Sequence, residues 1–296
     1  MSTAGSCVVC GAAALQPHLR VAGRAGPDGL IPTTKDFGTA LADIARCERC
    51  GHMQLDPLPA EDELRRAYGA AGPDDYVDEE LGQRATASRL LERIERHTER
   101  GRILDVGCWL GFLLAEARDR GWEPVGVEPS EAAAAWARER FGLEVAVGGV
   151  DDVPPGPFNA VVMGDVIEHL IDPAAALERI GSGLAPGGVL ALALPDSGSR
   201  LARLMGRRWW SVIPTHVQYF TRASITRLVE GAGYEVVAIE TAPKAFSVGY
   251  YLGRIEGYSS LAGRALVAAA DRVGLAGRQW APDFRDRMLV LARPRG

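Results

Sequence analysis

Five cysteines are present, and four of them form two matching pairs that could bind a metal. Cys7 and Cys10 stand in CVVCG, and Cys47 and Cys50 stand in CERCG. A Cys-x-x-Cys turn points two thiolates at one ion, and the glycine that follows lets the backbone curl around the sulfur. Two such turns supply the four ligands of a closed tetrahedral site, so we predict structural Zn²⁺. A redox dithiol is the alternative, but the matching patterns and a reducing compartment disfavour it.

This zinc site would leave no ligand position open to a substrate, so we expect it to stabilise the chain rather than to catalyse. The surrounding module, residues 1–59, is too small for an independent apolar core, and a metal would compensate for that. His52 follows the second pair. It is an alternative zinc ligand, although we interpret it as an ordinary surface histidine.

Acids and glycines also follow two apolar runs in the middle of the chain. ILDVG contains Asp105 and Gly107, Gly111 comes four residues later, and the next run, VGVEPS, contains Glu128. In an open parallel sheet, ligands bind at the carboxyl ends of the strands. There a helix N-terminus favours negative charge, and an acid accepts hydrogen bonds from ribose hydroxyls. We therefore predict a site for a cofactor that carries an adenosine group.

Alternating strands and helices must position these residues, and the sequence after residue 101 provides them. Such alternation is typical of a mostly parallel sheet with helices on both faces, so we predict an α/β, Rossmann-like domain with seven strands over residues 101–296. Residues 60–100 are predicted to be a helical linker and cofactor lid. The predicted strands are RILDVG, EPVGVEP, LEVAVGG, FNAVVMGDV, GVLALALP, YEVVAIET and RMLVLARP, and helices are predicted in FLLAEARDRG, SEAAAAWARERFG and PAAALERIGSGL.

The composition restricts the classes of function. Hydrophobic residues make up 47% and charged residues 24% of the 296 residues, which is ordinary for a globular protein. The net charge of −5 provides no overall basic field for nucleic acid or membranes. No apolar run reaches the roughly 18 residues of a membrane span, and the N-terminal stretch lacks the pattern of a signal peptide. We therefore expect a cytoplasmic protein.

The segments ILDVGCWLG, VGVEPS, FNAVVMGDVIEHLIDP and LAPGGVLALALPDS together resemble a class I S-adenosylmethionine-dependent methyltransferase. EHLIDP and HVQYFTR are similar to a broad bacterial subfamily. That subfamily includes ubiquinone-biosynthesis O-methyltransferases and many natural-product and sugar methyltransferases. The four-cysteine module resembles that of the deoxysugar C-methyltransferases.

This resemblance implies which residues contact S-adenosylmethionine. NAD is the alternative ligand, but its G-x-G-x-x-G fingerprint is interrupted here by Cys108, Trp109 and Leu110. S-adenosylmethionine has no pyrophosphate and tolerates a bulkier loop. The implied residues are Asp105, Gly107, Cys108 and Gly111 at the methionine part, Glu128 with the adjoining Pro129 at the ribose, Val150 and Asp151 at the adenine, and Gly164 facing the methyl donor.

Methyl transfer requires an acceptor that is aligned with the sulfonium carbon and, when necessary, deprotonated. His169 in DVIEHL and His216 in PTHVQYF should reach the strand edge that carries Asp165, and we predict these three as catalytic residues. Either histidine is a candidate general base; alternatively, His169 is a structural residue at the strand end. Asp165, Glu168, His169 and His216 also resemble the Mg²⁺ site of small-RNA 2′-O-methyltransferases, which makes Mg²⁺ a less favoured alternative.

Residues 199–216 lie where such enzymes build a substrate lid. Trp209 and Trp210 could wall the acceptor pocket, and four nearby arginines could hold a phosphate or carboxylate. An amphipathic helix with an arginine-rich solvated face is the alternative. Residues 244–282 are predicted to be a helical insertion that covers the sheet or forms a dimer contact. The four arginines are Arg200, Arg203, Arg207 and Arg208.

These patterns favour methyl transfer to a small-molecule biosynthetic intermediate. The acceptor would be a sugar, polyketide or ring hydroxyl, with anionic and carrier-linked forms included, and a homodimer is the protein contact we consider. One alternative is an RNA-modifying methyltransferase whose zinc module binds nucleic acid. Acids in that module, such as Asp43, Glu48 and Asp56, disfavour this alternative. The other is a non-catalytic protein that binds the cofactor and recruits partners.

Overall fold

The computed structural model describes residues 5–23, 37–62, 64 and 76–295. Parts of the predicted zinc module and linker, residues 1–4, 24–36, 63 and 65–75, therefore lie outside the described residues. The strands are β1 (Leu15–Leu19), β2 (Asp43–Cys47), β3 (Met53–Asp56), β4 (Arg102–Val106), β5 (Glu123–Glu128), β6 (Glu144–Val147), β7 (Phe158–Gly164), β8 (Leu184–Pro195), β9 (Gln218–Tyr219), β10 (Tyr234–Thr241), β11 (Phe246–Ser247), β12 (Gln279–Trp280) and β13 (Arg287–Pro294).

The helices pack on the two faces of the main sheet or follow its strands as connections. Side chains cap several of them; Ser130, for example, accepts a hydrogen bond from the backbone N–H of Ala133 at the start of the third. The helices are α1 (Glu80–Ile94), α2 (Phe112–Asp119), α3 (Glu131–Phe141), α4 (Pro173–Gly181), α5 (Arg200–Met205), α6 (Arg222–Gly231), α7 (Val248–Gly253) and α8 (Ser260–Arg272).

The main sheet has seven strands in the order β10-β13-β8-β7-β4-β5-β6. All its neighbouring strands are parallel except β13, which runs antiparallel to β8 and β10. Each of the seven predicted strands is present, so the predicted fold class is confirmed. Alternate residues of a strand point to opposite faces of the sheet and pack into two separate cores. In β4, Leu104 and Val106 pack with α4 and α6, whereas Ile103 packs with α1 and α2. Burial on both faces explains why the central strands of the sheet are almost entirely apolar.

A smaller antiparallel sheet, β1-β2-β3-β9, contains the cysteine turns. Its last strand comes from residues 218–219, so this sheet crosses the boundary predicted at residue 59. The backbone N–H of Leu55 donates to the carbonyl of Val217 at 3.0 Å. His52 is fully buried beside them and its Nε2 lies 3.0 Å from Oε1 of Gln218. The interpretation of His52 as a surface residue was therefore wrong, because it forms part of the core between the two sheets.

The chain between β10 and β13 includes residues 244–282, the segment predicted to be a helical insertion. It contains α7, α8 and a short antiparallel pair, β11 with β12. Glu79, just before α1, is tied to this insertion because its carboxylate accepts hydrogen bonds from the backbone N–H and the hydroxyl of Ser247. Among the described residues, no helix is long and apolar enough to cross a membrane.

Candidate functional site

A cavity of about 1340 Å³ opens at the carboxyl ends of β4, β5, β6, β7 and β8. The lining includes the residues that directly follow β4, β5, β6 and β7 and the last residue of β8, and the insertion between β10 and β13 forms another part of the wall. A single small-molecule site usually occupies about 300–1,000 Å³. The cavity therefore has room for a cofactor and an acceptor together.

Eight of the nine predicted cofactor residues line this cavity, and Gly111 does not. Gly111 is a packing position, because a Cβ there would lie 2.8 Å from Leu143 and 3.0 Å from Ala137. The side chain of Cys108 is buried in an apolar cluster with Leu114, which leaves its backbone to face the cavity. The structure thus brings eight of the predicted residues to one cavity, and it places Gly111 in the packing behind that cavity.

Glu128, at the end of β5, is positioned by the loop that follows β4. Its Oε2 accepts a hydrogen bond from the backbone N–H of Trp109, and its Oε1 accepts one from that of Ser130, both at 2.8 Å. Burial raises the pKa of Glu128 to about 7 despite these two donors. Burial and the charge of Glu128 raise the pKa of Asp105 to about 8. The two carboxyls thus lie close enough to interact, and burial favours the uncharged form of each.

Two features show that a ligand fits beside this acid pair. The indole N–H of Trp109 is buried and has no hydrogen-bond partner, although Trp109 lines the cavity. A Cβ on Gly164, at the end of β7, would meet no heavy atom within 4 Å, so this backbone is open to the cavity. A donor without a partner, a ribose-type acid and an exposed strand end suit an adenosine-bearing cofactor. Asp151 lies farther out, more than half exposed and ion-paired to Arg179 at 2.9 Å.

His169 and His216 meet in the same cavity, edge to face, with ring centroids 4.6 Å apart. Nδ1 of His169 lies 2.8 Å from the carbonyl of Thr215, and Nδ1 of His216 lies 2.8 Å from that of Ser211. A carbonyl only accepts, so each Nδ1 carries a hydrogen and each neutral ring has its lone pair on Nε2. Burial lowers the pKa of His169 to about 4 and that of His216 well below its usual 6.5. Both rings are therefore neutral at physiological pH.

Glu168 completes a cluster with these two histidines. One ligand atom from each of the three residues lies within 4.8 Å of the others, and both carboxyl oxygens of Glu168 are buried without a hydrogen-bond partner. Burial and the charge of Asp165 raise the pKa of Glu168 to about 8. Two imidazoles and one carboxylate are a donor set for first-row transition metals, whereas Mg²⁺ prefers oxygen ligands. The cluster thus contains three of the four residues of the Mg²⁺ set implied by the resemblance, without Asp165.

Asp165 does not belong to the cluster of Glu168 and the two histidines. It forms a second cluster of ion pairs, which the sequence analysis missed. One of its oxygens accepts from the Lys244 ammonium and the other from the Arg287 guanidinium. These two cations hold the pKa of Asp165 below its usual range. A signal was available in the composition: Lys244 is one of only two lysines among 33 lysines and arginines. In a chain that otherwise uses arginine, a lysine at the start of an insertion indicates a specific role.

One part of the predicted lid, residues 199–216, lines the cavity, and another part is buried in the core. Trp210 lines the cavity, but Trp209 is 3% exposed and its indole donates to the Asp286 carboxylate at 3.1 Å. The prediction that both tryptophans wall the acceptor pocket was therefore wrong for Trp209. The four arginines of this segment are exposed and none lines the cavity, which contradicts the anion-binding interpretation. They are Arg200, Arg203, Arg207 and Arg208.

The four N-terminal cysteines converge on one point. Sγ of Cys7 lies 3.5 Å from Sγ of Cys50, Sγ of Cys10 lies 3.6 Å from Sγ of Cys47, and all four sulfurs lie within 4.8 Å of one another. These separations are too long for disulfides and near the roughly 3.8 Å edge of a zinc tetrahedron with 2.3 Å bonds. Both turns share one geometry, because Gly11 and Gly51 have φ of +68° and +74°. Their N–H groups return to the carbonyls of Cys7 and Cys47 at 2.8 Å.

The sheet order, with an antiparallel β13 between β8 and β10, and the cavity at the strand ends define an α/β domain of the class I methyltransferase type. Residues 79–239, just over half of the chain, match the family model described as a methyltransferase domain. The chain belongs to this family.

Relatives agree with that membership, and a solved structure shares the fold. A probable S-adenosylmethionine-dependent methyltransferase of Mycolicibacterium smegmatis is 31% identical over 137 residues, which cover 45% of this chain and 52% of that protein. The chain thus spans about half the length of this relative. A ubiquinone biosynthesis O-methyltransferase of Idiomarina loihiensis is 26% identical over 49% of this chain and 68% of that protein. A methyltransferase structure from Clostridium acetobutylicum shares the fold at a TM-score of 0.50 and 12% identity, over 72% of this chain and 92% of that one.

Proposed function

We propose that this protein transfers a methyl group from S-adenosylmethionine to a hydroxyl oxygen of a small biosynthetic intermediate. The observation that carries the proposal is Glu128, a buried carboxyl held by two backbone N–H groups in a cavity large enough for a second ligand. S-adenosylmethionine supplies the activated methyl group when bound. The protein would then have to hold the cofactor, align the acceptor and accept its proton. The name of the Idiomarina relative agrees with oxygen as the accepting atom.

His216 is the proposed general base. The Ser211 carbonyl holds Nδ1–H and leaves the lone pair of Nε2 for an acceptor proton. His169 is the neighbouring ring, fixed in the same way by Thr215. Asp165 would act by placing Lys244 and Arg287 rather than by removing a proton, because both of its oxygens already accept from cations.

Replacing His216 by asparagine should lower turnover by about 10²- to 10⁴-fold, the usual contribution of a general base. Cofactor affinity should stay unchanged, because the Glu128 loop is intact. Turnover is measured as transfer of labelled methyl groups from S-adenosylmethionine to small molecules of a cell extract, and affinity by calorimetry. The matched control is His18→Asn, on an exposed position of β1. Full turnover in His216→Asn would rule out this base.

The pH dependence of turnover follows from the lowered histidine pKa values. A base whose pKa is lowered remains neutral, and therefore active, as the pH falls through 6.5, the usual value for histidine. We expect turnover at saturating cofactor to hold through that pH and to decline only in more acidic solution, because burial lowers the pKa of His216. A half-maximal point near 6.5 in the measured pH profile would contradict the assignment.

A metal-assisted reaction is the second candidate, favoured by the unpartnered oxygens of Glu168 beside the two histidines. Glu168, His169 and His216 would hold the ion, which would lower the pKa of an acceptor hydroxyl. Dialysis against EDTA under conditions in which metal analysis still finds the zinc of the four cysteines distinguishes the candidates, since turnover then survives only with a metal-free base. The non-catalytic alternative predicts cofactor binding without turnover on any acceptor. The RNA alternative predicts methylated RNA instead of a methylated small molecule. No binding of S-adenosylmethionine at millimolar concentration would exclude the enzyme altogether.

We also propose that Cys7, Cys10, Cys47 and Cys50 hold a structural Zn²⁺. Support comes from the convergence of their sulfurs and from the shared geometry of the two turns. All four ligands would come from the protein, so this ion would have no open position for chemistry.

A further inference from the structure

The acceptor end of the cavity carries two cations on one carboxylate. Lys244 and Arg287 both donate to Asp165, and all three residues line the cavity. The described structure gives Lys244 Nζ no other partner, and Arg287 Nε is buried without one. Buried donors of this kind are costly unless something accepts from them.

The neighbouring acids do not supply that acceptor. Asp286 is buried and one of its carboxylate oxygens accepts from the indole of Trp209, with no ion pair to either cation. Asp283 accepts from Thr241 and from the backbone N–H of Arg285. The Glu168 carboxyl forms no hydrogen bond with either cation. Among these acids, Asp165 alone accepts hydrogen bonds from the two cations.

Aromatic rings from the insertion form a continuous wall of the same cavity. Phe246 and Tyr250 stack with centroids 4.1 Å apart and planes 10° apart. Tyr251 stands edge-on to Phe246 at 5.7 Å and to Trp280 at 5.5 Å, and Trp280 meets Phe284 at 6.4 Å. Trp280 and Phe284 are 50% and 43% exposed, so their faces are available to a ligand. Exposed neighbouring aromatic rings in a cavity are a surface for a flat partner.

The wall and the cations form one unit, because the Tyr251 hydroxyl donates to the carbonyl of Lys244 at 2.7 Å. We propose that the acceptor is a planar aromatic compound bearing an oxyanion, an inference that rests on the methyltransferase function proposed above. Its ring lies on the aromatic wall, and Lys244 and Arg287 hold the oxyanion. A carboxylate and an ionised ring hydroxyl offer the same chemistry to these donors.

Calorimetry with simple probes, in the presence of S-adenosylhomocysteine, tests the proposal. We expect 4-hydroxybenzoate to bind at least about tenfold more tightly than its neutral counterpart 4-hydroxybenzamide, as expected for a charge-assisted hydrogen bond. Cyclohexanecarboxylate, an anion without an aromatic ring, should bind more weakly than 4-hydroxybenzoate. 4-Nitrophenolate, measured above its own pKa, shows whether an ionised ring hydroxyl serves in place of a carboxylate. Equal affinity for 4-hydroxybenzoate and 4-hydroxybenzamide would contradict the proposed binding of an oxyanion. Equal affinity for cyclohexanecarboxylate and 4-hydroxybenzoate would contradict the proposed binding of a ring to the aromatic wall.

Lys244→Met should reduce the preference for the benzoate to less than about threefold, because one of the two cations is lost. This variant should fold, since Asp165 keeps Arg287 as a balanced partner. The control is Arg264→Met, an exposed residue of α8 outside the cavity, which should keep the full preference. An unchanged preference in Lys244→Met refutes the proposal.

A second measurement uses the unaltered protein. The chain has only two lysines, so trinitrobenzenesulfonate labelling followed by peptide mass spectrometry resolves Lys244 from Lys35. Saturating 4-hydroxybenzoate should protect Lys244, and unchanged labelling of Lys244 contradicts the proposal. Failure of the methyltransferase function is separate, because it appears as loss of S-adenosylmethionine binding. The oxyanion preference would survive that result.

Discussion

Replacing Glu128 by alanine is expected to weaken S-adenosylmethionine binding by about a hundredfold. The ribose hydroxyls of the cofactor would lose the two hydrogen bonds that they donate to the carboxylate. Each of these contributes about 1.5 kcal/mol or more when the acceptor is charged. The backbone N–H groups of Trp109 and Ser130 would also lose their acceptor, so the loop after β4 would loosen.

Calorimetric titration with S-adenosylmethionine and S-adenosylhomocysteine measures this effect. The matched control is Glu123→Ala, an exposed glutamate at the other end of β5, which should leave affinity unchanged. Unaltered binding by the Glu128 variant would mean that the ribose lies elsewhere in the cavity.

Replacing Cys47 by serine is expected to abolish zinc binding and to unfold the small N-terminal sheet. Structural zinc contributes about 10–16 kcal/mol in isolated zinc-finger peptides, so loss of one of four thiolates removes much of what stabilises this sheet. We expect the zinc content to fall from one ion per chain to near zero, with a lower melting temperature.

Metal analysis and thermal unfolding of the full chain test that expectation. Cys108→Ser is the matched control, because Cys108 lies in the core of the methyltransferase domain and outside the cluster. It should keep its zinc and lose only a modest part of its stability. A wild-type protein without zinc, or a Cys47 variant that retains it, would contradict the prediction.

The sequence predicted the main sheet because its central strands, β4, β7, β8 and β13, are mostly buried on both faces. A strand covered by helices on both sides must be apolar at every position, and such runs are visible without knowledge of their partners. The acids and glycines after β4 and β5 were predictable for a related reason. The carboxyl ends of parallel strands necessarily meet at one edge, so Asp105 and Glu128 come together whatever the remaining chain does.

The acceptor side was much less predictable, because it depends on contacts between distant segments. Asp165 pairs with Lys244, which lies 79 positions away in the sequence, and with Arg287, which lies 122 positions away. Local periodicity in the sequence does not indicate such pairs. Trp209 and Trp210 look identical in sequence, yet one is core and the other faces the cavity. Their environments differ because successive residues point in different directions, and only the fold decides which direction is inward.

The pairing of β9 with β3 restricts how this protein can have been assembled by recombination. Leu55 bonds to Val217, whose own N–H donates to the carbonyl of Glu168 beside the paired histidines. A gene fusion that moved residues 1–59 alone would deliver a sheet with an unpaired, aggregation-prone edge. A segment transferred by recombination would have to include the residues around 211–221 as well. We therefore expect the cysteine module and the histidine loop to be exchanged together or not at all.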